Sequence, residues 1–186
     1  MRKKSLEEQV WEQAELAERL GPRRLPIVGV LDNIRSAYNV GAILRTADAA
    51  RVEELIVCGI SPLPTRNEVR KTALGAEESV PWRYVVHPAE AIRELRGRGY
   101  QIVVLEKTEP CLPLWEPAYR FPVALVVGNE WHGVRDDVLT LADAAVFIPM
   151  FGRKTSLNVA VAFGIAVYEL VRRLDAQNWL KGGGQE

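Results

Sequence analysis

Five short apolar runs, Ile27–Leu31, Leu55–Cys58, Ile102–Leu105, Val123–Val127 and Ala145–Ile148, recur along this 186-residue chain with helix-forming stretches between them. A strand that is apolar at every position has no face for water, so it must be covered on both sides. Strands of this type alternating with helices predict an α/β fold, a mostly parallel sheet with helices on both faces. The intervening helices are expected at about Val40–Ala50, Pro88–Arg98, Val134–Leu141 and Ser156–Leu174. Ahead of them, Ser5 to Leu20 reads as a separate helix, with Ser5 as its cap and Glu8 as the capping-box partner three residues on. Leu6, Val10, Ala14, Ala17 and Leu20 share one side of it, and Gly21-Pro22 ends it. The expected organisation is an amino-terminal helix and linker over 1–22, a sheet domain over 23–175 and a flexible tail over 176–186. Three consecutive glycines lie in the Lys181–Glu186 segment, which is expected to be disordered.

Composition removes several classes of function. The 24 Lys and Arg balance the 24 Asp and Glu, so no global positive field draws the chain to nucleic acid. Any such contact has to come from local basic groups: Arg2–Lys4, Arg23–Arg24, Arg66 with Arg70–Lys71, or Arg153–Lys154. The two cysteines, Cys58 and Cys111, build no disulfide framework, and His87 and His132 match no metal-ligand spacing, so no metal is expected. No signal peptide and no membrane-length apolar run is seen, which leads to the expectation of a cytoplasmic protein without membrane contact.

The segment from Ile148 to Leu170, IPMFGRKTSLNVAVAFGIAVYEL, carries the most information about a site. Its helix is apolar nearly all round, through Val159, Val161, Phe163, Ile165, Val167, Leu170 and Val171, which calls for burial on several sides. Ser156 and Asn158 stand at its mouth, beside free backbone N–H groups and the positive end of the helix dipole. Ser156 as an ordinary N-cap and Asn158 as a first-turn polar residue account for the same letters. Two more polar clusters follow strands: Asp32 to Asn39, and Gly128 to Gly133. Ligands of open α/β sheets bind beyond the carboxyl ends of the strands, so three clusters at such ends point to one shared edge. Taken singly, each has a plain alternative. Asn39 is placed to cap its helix, Arg45 to pair on the surface with Asp48, and Glu130 to be a solvated turn residue. Gly41 and Ala42 keep the first helical turn thin enough for a ligand or another backbone to approach. No GxGxxG follows the first strand and no GxxxxGK[ST] occurs, which disfavours nucleotide-binding enzymes of the ordinary doubly wound type.

In order and spacing, the three clusters resemble the motifs of the SpoU (TrmH) family of RNA ribose 2′-O-methyltransferases, within the SPOUT superfamily. The first motif's Asn and Arg, six residues apart, fall on Asn39 and Arg45. The second, G-x-E-x-x-G, falls on Gly128, Glu130 and Gly133. The third falls on Ile148–Met150, Gly152 and Ser156–Val159, and Lys71–Trp82 also resembles the family at the corresponding place. The likeness runs from about Ile27 to Leu174. One departure is Ala160, where many members have Ser; another is that an added amino-terminal RNA-binding domain, frequent in the family, has only the first helix in its place.

The resemblance implies a carboxyl-terminal trefoil knot whose loops bind S-adenosyl-L-methionine. The matching cofactor positions are Leu105, Glu106, Gly128, Ile148, Met150 and Leu157. It also implies Arg45 as the central catalytic residue, with Asn39 orienting it or the ribose. Glu130 would fix the loop or Arg45, and Ser156 and Asn158 would position ribose and phosphate. A general-base role has been proposed for that arginine in relatives, yet a guanidinium is always protonated in proteins, and stabilising charge on the attacking oxygen suits it better. The implied substrate is RNA, tRNA favoured slightly over rRNA, and the implied assembly is a homodimer that covers the apolar last helix. The competing reading is a non-catalytic RNA- or cofactor-binding module of the same fold.

Overall fold

The computed structural model describes residues 1–21 and 23–174; the tail expected over 176–186 lies outside the described residues. The chain opens with α1 (Leu6–Leu20), β1 (Leu25–Asp32), α2 (Ala37–Ala49) and β2 (Val52–Cys58). Two short helices follow, α3 (Asn67–Ala73) and α4 (Ala76–Ser79), then β3 (Trp82–Val85), α5 (Pro88–Gly97) and β4 (Gln101–Leu105). The last part contains β5 (Leu112–Pro113), β6 (Val123–Val127), α6 (Asp136–Leu139), β7 (Ala144–Phe147) and α7 (Val159–Arg173). The seven strands form one sheet in the order β3-β2-β1-β6-β4-β7-β5, and every pairing is parallel. All five expected apolar runs are strands of this sheet, and the α/β class follows from them as anticipated.

Alternation along the central strands separates two cores. Ile27, Leu31, Leu55, Val103 and Leu125 pack with α2 and α7, whereas Val28, Val30, Ile56, Val104 and Ala124 pack with α5 and α6. On the first face Phe163 of α7 is fully buried above Gly29 of β1. A Cβ on Gly29 would come within 3.1 Å of the Phe163 ring and closer still to Leu55, so glycine lets the helix settle onto the strand. Gly41 does the same between helices. Its missing side chain would fall 2.4 Å from the Val69 carbonyl oxygen, so the thin turn of α2 receives the backbone of α3.

Two caps differ from expectation. Ser36 caps α2, its Oγ accepting the Asn39 N–H at 3.3 Å, so Asn39 is inside the first turn with its side chain released for other contacts. Asn158 caps α7, its Oδ1 accepting the Ala160 and Val161 N–H groups at 2.9 and 3.4 Å, and Ser156 stays in the preceding loop. An amide oxygen reaches the second and third N–H groups of a helix as well as a hydroxyl does, so residue type did not separate the two candidates. The elements absent from the sequence reading, α3, α4, β3 and β5, are short. β3 lies half-exposed at a sheet edge and its four residues include Arg83, so it forms no apolar run, and α3 is parted from α4 by Leu74 and Gly75, both at positive φ.

The last helix is buried on one side only. Phe163, Ala166, Val167 and Leu170 face the core, while Val161, Ile165 and Tyr168 form an exposed stripe. α1 has its capping box, but Leu6, Val10 and Trp11 are exposed as well. Among the described residues no helix is long and apolar enough to cross a membrane. Phe163→Ala should cost about 3–5 kcal/mol of stability, the usual loss for emptying a large aromatic site. Urea denaturation of the two proteins measures it, and an unchanged midpoint would show that Phe163 is not a keystone of this face.

Candidate active site

The three polar clusters meet at the carboxyl edge of the sheet. After β6 the chain turns back on itself: Asn129 and Gly133 exchange backbone hydrogen bonds, each 2.9 Å, and a Cβ on Gly128 would fall 2.2 Å from the Val134 nitrogen. Gly133 takes φ +69 where the loop passes the Glu106 carboxylate. This crossing explains both glycines of the second cluster. Asn129 stiffens the loop further, its Oδ1 accepting the Trp131 and His132 N–H groups and its Nδ2 donating to the Asn33 carbonyl at 2.7 Å.

Glu130 is thereby held against the start of α2. Its carboxylate accepts the Arg35 and Ser36 N–H groups at 2.8 and 3.1 Å and the Asn39 Nδ2 at 2.8 Å. Asn39 in turn accepts Asn158 Nδ2 at 3.0 Å, while Asn158 Oδ1 is turned to its own helix N–H groups. Residues 91 and 119 positions apart are thus joined in one run of hydrogen bonds, each amide oriented by its neighbour. Burial by itself would raise the Glu130 carboxyl, but the Arg35, Asn39, Glu130 and Ser36 donors together hold it below the ordinary carboxylate range. Its solvated-turn and Asn39's cap alternatives are both set aside by these contacts.

Beside this run opens a cavity of about 860 Å³, within the ~300–1,000 Å³ range of small-molecule sites. Leu105, Glu106, Gly128, Ile148, Met150 and Leu157 all line it, as do Glu130, Ser156 and Asn158. Lys107, Arg153 and Lys154 add positive charge to its wall and make no ion pair among the described residues. Glu106 spends its side chain on protein: Oε2 accepts the Val134 N–H and Oε1 the Lys107 N–H, both at 3.0 Å. A further carboxylate, Asp32, was not singled out from the sequence beyond opening the first cluster. It is fully buried and accepts the Arg135 N–H at 2.9 Å and Asn33 Nδ2 at 2.7 Å. Burial raises its proton affinity, and these two donors offset part of the rise.

Arg45 and Ser156 stand apart from the hydrogen-bonded run. Six residues on a helix place Arg45 roughly 120° round from Asn39 and about 9 Å further along. Arg45 is exposed, lies outside the cavity wall and makes no ion pair among the described residues; the alternative pairing with Asp48 does not form, and Asp48 accepts the Ser79 hydroxyl at 2.5 Å. Ser156 is exposed in the cavity wall. No group of three or more His, Cys, Asp or Glu that could hold a metal occurs among the described residues.

Residues 26–168 match the SpoU rRNA Methylase family. The chain belongs to this family. A relative in Shewanella oneidensis, the 23S rRNA (guanosine-2′-O-)-methyltransferase RlmB, is 37% identical over 159 residues, 86% of this chain and 64% of its own. The SpoU-family chain thus spans less than two thirds of that relative's length. Among solved structures, the A. aeolicus TrmH/SpoU tRNA modifying enzyme superposes with a TM-score of 0.79 at 31% identity, covering 92% of this chain and 88% of that one. The AdoMet-bound rRNA methyltransferase from Sinorhizobium meliloti gives 0.76 at 31% identity, covering 86% and 60%.

Glu130 also sets a pH dependence. Its folded-state proton affinity is lowered, so its contribution to stability is complete above the ordinary glutamate pKa and fades as pH falls through the depressed value. The stability gap between the wild type and Glu130→Gln should therefore be widest near neutrality and close in acid. Urea unfolding over a pH series tests this, and a gap independent of pH would remove the charge from the account.

Proposed function

We propose that the chain is an S-adenosylmethionine-dependent methyltransferase acting on a ribose 2′-hydroxyl of RNA. The observation that carries this reading is the run Asn158–Asn39–Glu130, which ties the first cluster to the second and third, whose residues line one cavity. The S. meliloti relative is AdoMet-bound, and the cavity here suits the same group in size and lining. Leu105, Ile148, Met150 and Leu157 supply apolar wall for an adenine, with Gly128 beside them in the wall. The knot expected from the family belongs to this proposal, as does the division that leaves residues 1–22 outside a methyltransferase domain over 23–175.

The bound cofactor supplies a methyl group on a sulfonium, and everything else falls to the protein and the RNA. Transfer would exchange the sulfur–methyl bond for an oxygen–methyl bond, with the neutral thioether as leaving group and the hydroxyl proton passing to water. Holding the oxygen in line is worth roughly 7–11 kcal/mol of barrier. Asn158 and Ser156 are placed at the cavity wall to position ribose and phosphate. Glu130, already engaged by three donors, is a poor base and serves to fix Asn39 and the start of α2. Among the described residues no His or Cys lines the cavity. Arg45, permanently charged, is assigned to the phosphate and the charge developing on oxygen.

Because Arg45 is exposed and outside the wall of its own chain's cavity, the reading includes a homodimer with the sites near the interface. The exposed Val161, Ile165 and Tyr168 stripe runs beside α2, whose Thr46 lies next to Gly164. Covering that stripe with a second copy removes apolar surface from water and places Arg45 at the subunit boundary. Ile165→Asp should convert a dimer to a monomer in sedimentation equilibrium at micromolar concentration; a wild type that is already monomeric contradicts the assembly.

The RNA class is the finer part of the proposal. Relatives are named for 23S rRNA and for tRNA, so tRNA, the first expectation, is tested alongside rRNA. Total RNA incubated with methyl-labelled S-adenosylmethionine, digested to nucleosides and mapped, identifies the product. Arg45→Ala should abolish transfer while cofactor binding by calorimetry stays near the wild-type value. Full activity in that variant would overturn the assignment, and cofactor binding without transfer in the wild type would favour the non-catalytic module.

A further inference from the structure

Two large aromatic side chains lie in the open beside the hydrogen-bonded run, Trp131 in the cavity wall and Tyr38 in the first turn of α2, and the chemistry proposed above gives neither a role. Trp131 follows Glu130 and is 78% exposed; Tyr38 precedes Asn39 and is 58% exposed. Their neighbours in sequence are joined by the 2.8 Å Asn39–Glu130 hydrogen bond, so the two aromatics flank one contact. Both have rigid mounts. The Trp131 N–H is tied to Asn129 Oδ1 in the crossed loop, and the Tyr38 carbonyl accepts the Thr72 hydroxyl from α3 at 3.2 Å. Tyr38 also shares a face with Arg45, since seven residues bring a helix back to within roughly 20°. Cations that make no ion pair among the described residues lie nearby, Arg35 just ahead of the α2 cap and Arg153 and Lys154 in the cavity wall, although the chain as a whole has no net charge.

Leaving an indole in water on a stiff loop forgoes the burial that normally holds tryptophan. A flat apolar face beside positive charge suits an unstacked nucleobase with its phosphate. A paired A-form duplex has no use for such faces: its 2′-hydroxyls already line a wide, shallow groove and its bases are stacked on one another. We propose, on the basis of the methyltransferase reading above, that Trp131 and Tyr38 are positioning residues that stack on the unpaired bases flanking the methylated nucleotide.

The test uses the full chain and two fluorescein-labelled RNAs of equal base composition, a hairpin with an unpaired loop and a blunt duplex. Fluorescence polarisation should show Trp131→Ala and Tyr38→Ala each binding the hairpin roughly 5- to 150-fold more weakly, the span of single base–aromatic stacks. Duplex binding should not change, and Trp131→Phe and Tyr38→Phe should restore the hairpin. A 2-aminopurine in the loop should be quenched by the wild type and not by Trp131→Ala, a signal that a purely structural role would not produce. Unchanged hairpin affinity in both alanine variants, or an equal loss on the duplex, overturns the inference. So does a shift to monomer in sedimentation, which would assign the aromatics to contact with a second copy. Methyl transfer by the wild type is measured in parallel: transfer without aromatic dependence overturns the stacking alone, whereas absence of both transfer and RNA binding overturns the functional reading with it.

Discussion

The site depends on one carboxylate. Glu130 lies at the end of a crossed loop and accepts three donors from the segment that begins α2. Without it, the Arg35 and Ser36 N–H groups and the Asn39 amide would turn to water, and the fixed geometry of this edge would be lost. With it, the direction of the Asn39 amide is set, and through Asn39 that of Asn158. Because Asn158 caps α7, the same run of bonds extends from the loop after β6 to the start of the last helix.

Support for that carboxylate comes from backbone crowding and from two further carboxyl groups. Gly128 and Gly133 allow the loop to cross itself within van der Waals distance, and a side chain at either would collide with backbone or with Glu106. Asp32 and Glu106 accept the N–H groups of Arg135 and Val134 just beyond the crossing, so two carboxylates clamp the exit of the loop that presents a third. The expectation that Glu106 contacts a cofactor and the finding that it braces the loop are compatible, since the residue also lines the cavity.

Functional groups in the protein divide by rigidity. Asn39, Glu130 and Asn158 are mutually oriented before any ligand arrives, which suits positioning. Arg45, Ser156, Arg153 and Lys154 are exposed and make no ion pair among the described residues, which suits contact with something outside the chain. The outward stripe of α7 belongs with this second group. The helix is apolar on more sides than one sheet can cover, and the surplus lies on the surface next to α2.

The sequence by itself determined the sheet and the membership of its edge. Apolar runs with no wet face can only be interior parallel strands, and polar clusters that follow such strands must gather where their carboxyl ends lie. The ordered motifs then supplied the family. Short or half-exposed elements such as β3 and α4 stayed illegible because they carry neither an unbroken apolar run nor a full helical period. Only the tertiary structure decided which polar residue met which partner. Ser36 rather than Asn39 caps α2, and Asn158 rather than Ser156 caps α7, choices separated by a few ångströms and by no difference in residue chemistry. The same holds for Arg45, whose spacing from Asn39 is visible in the letters, yet whose outward direction follows from how α2 is pinned between α3, α7 and the sheet. Local sequence sets which groups can hydrogen-bond; packing sets the angle at which each is presented, and function is read from that angle.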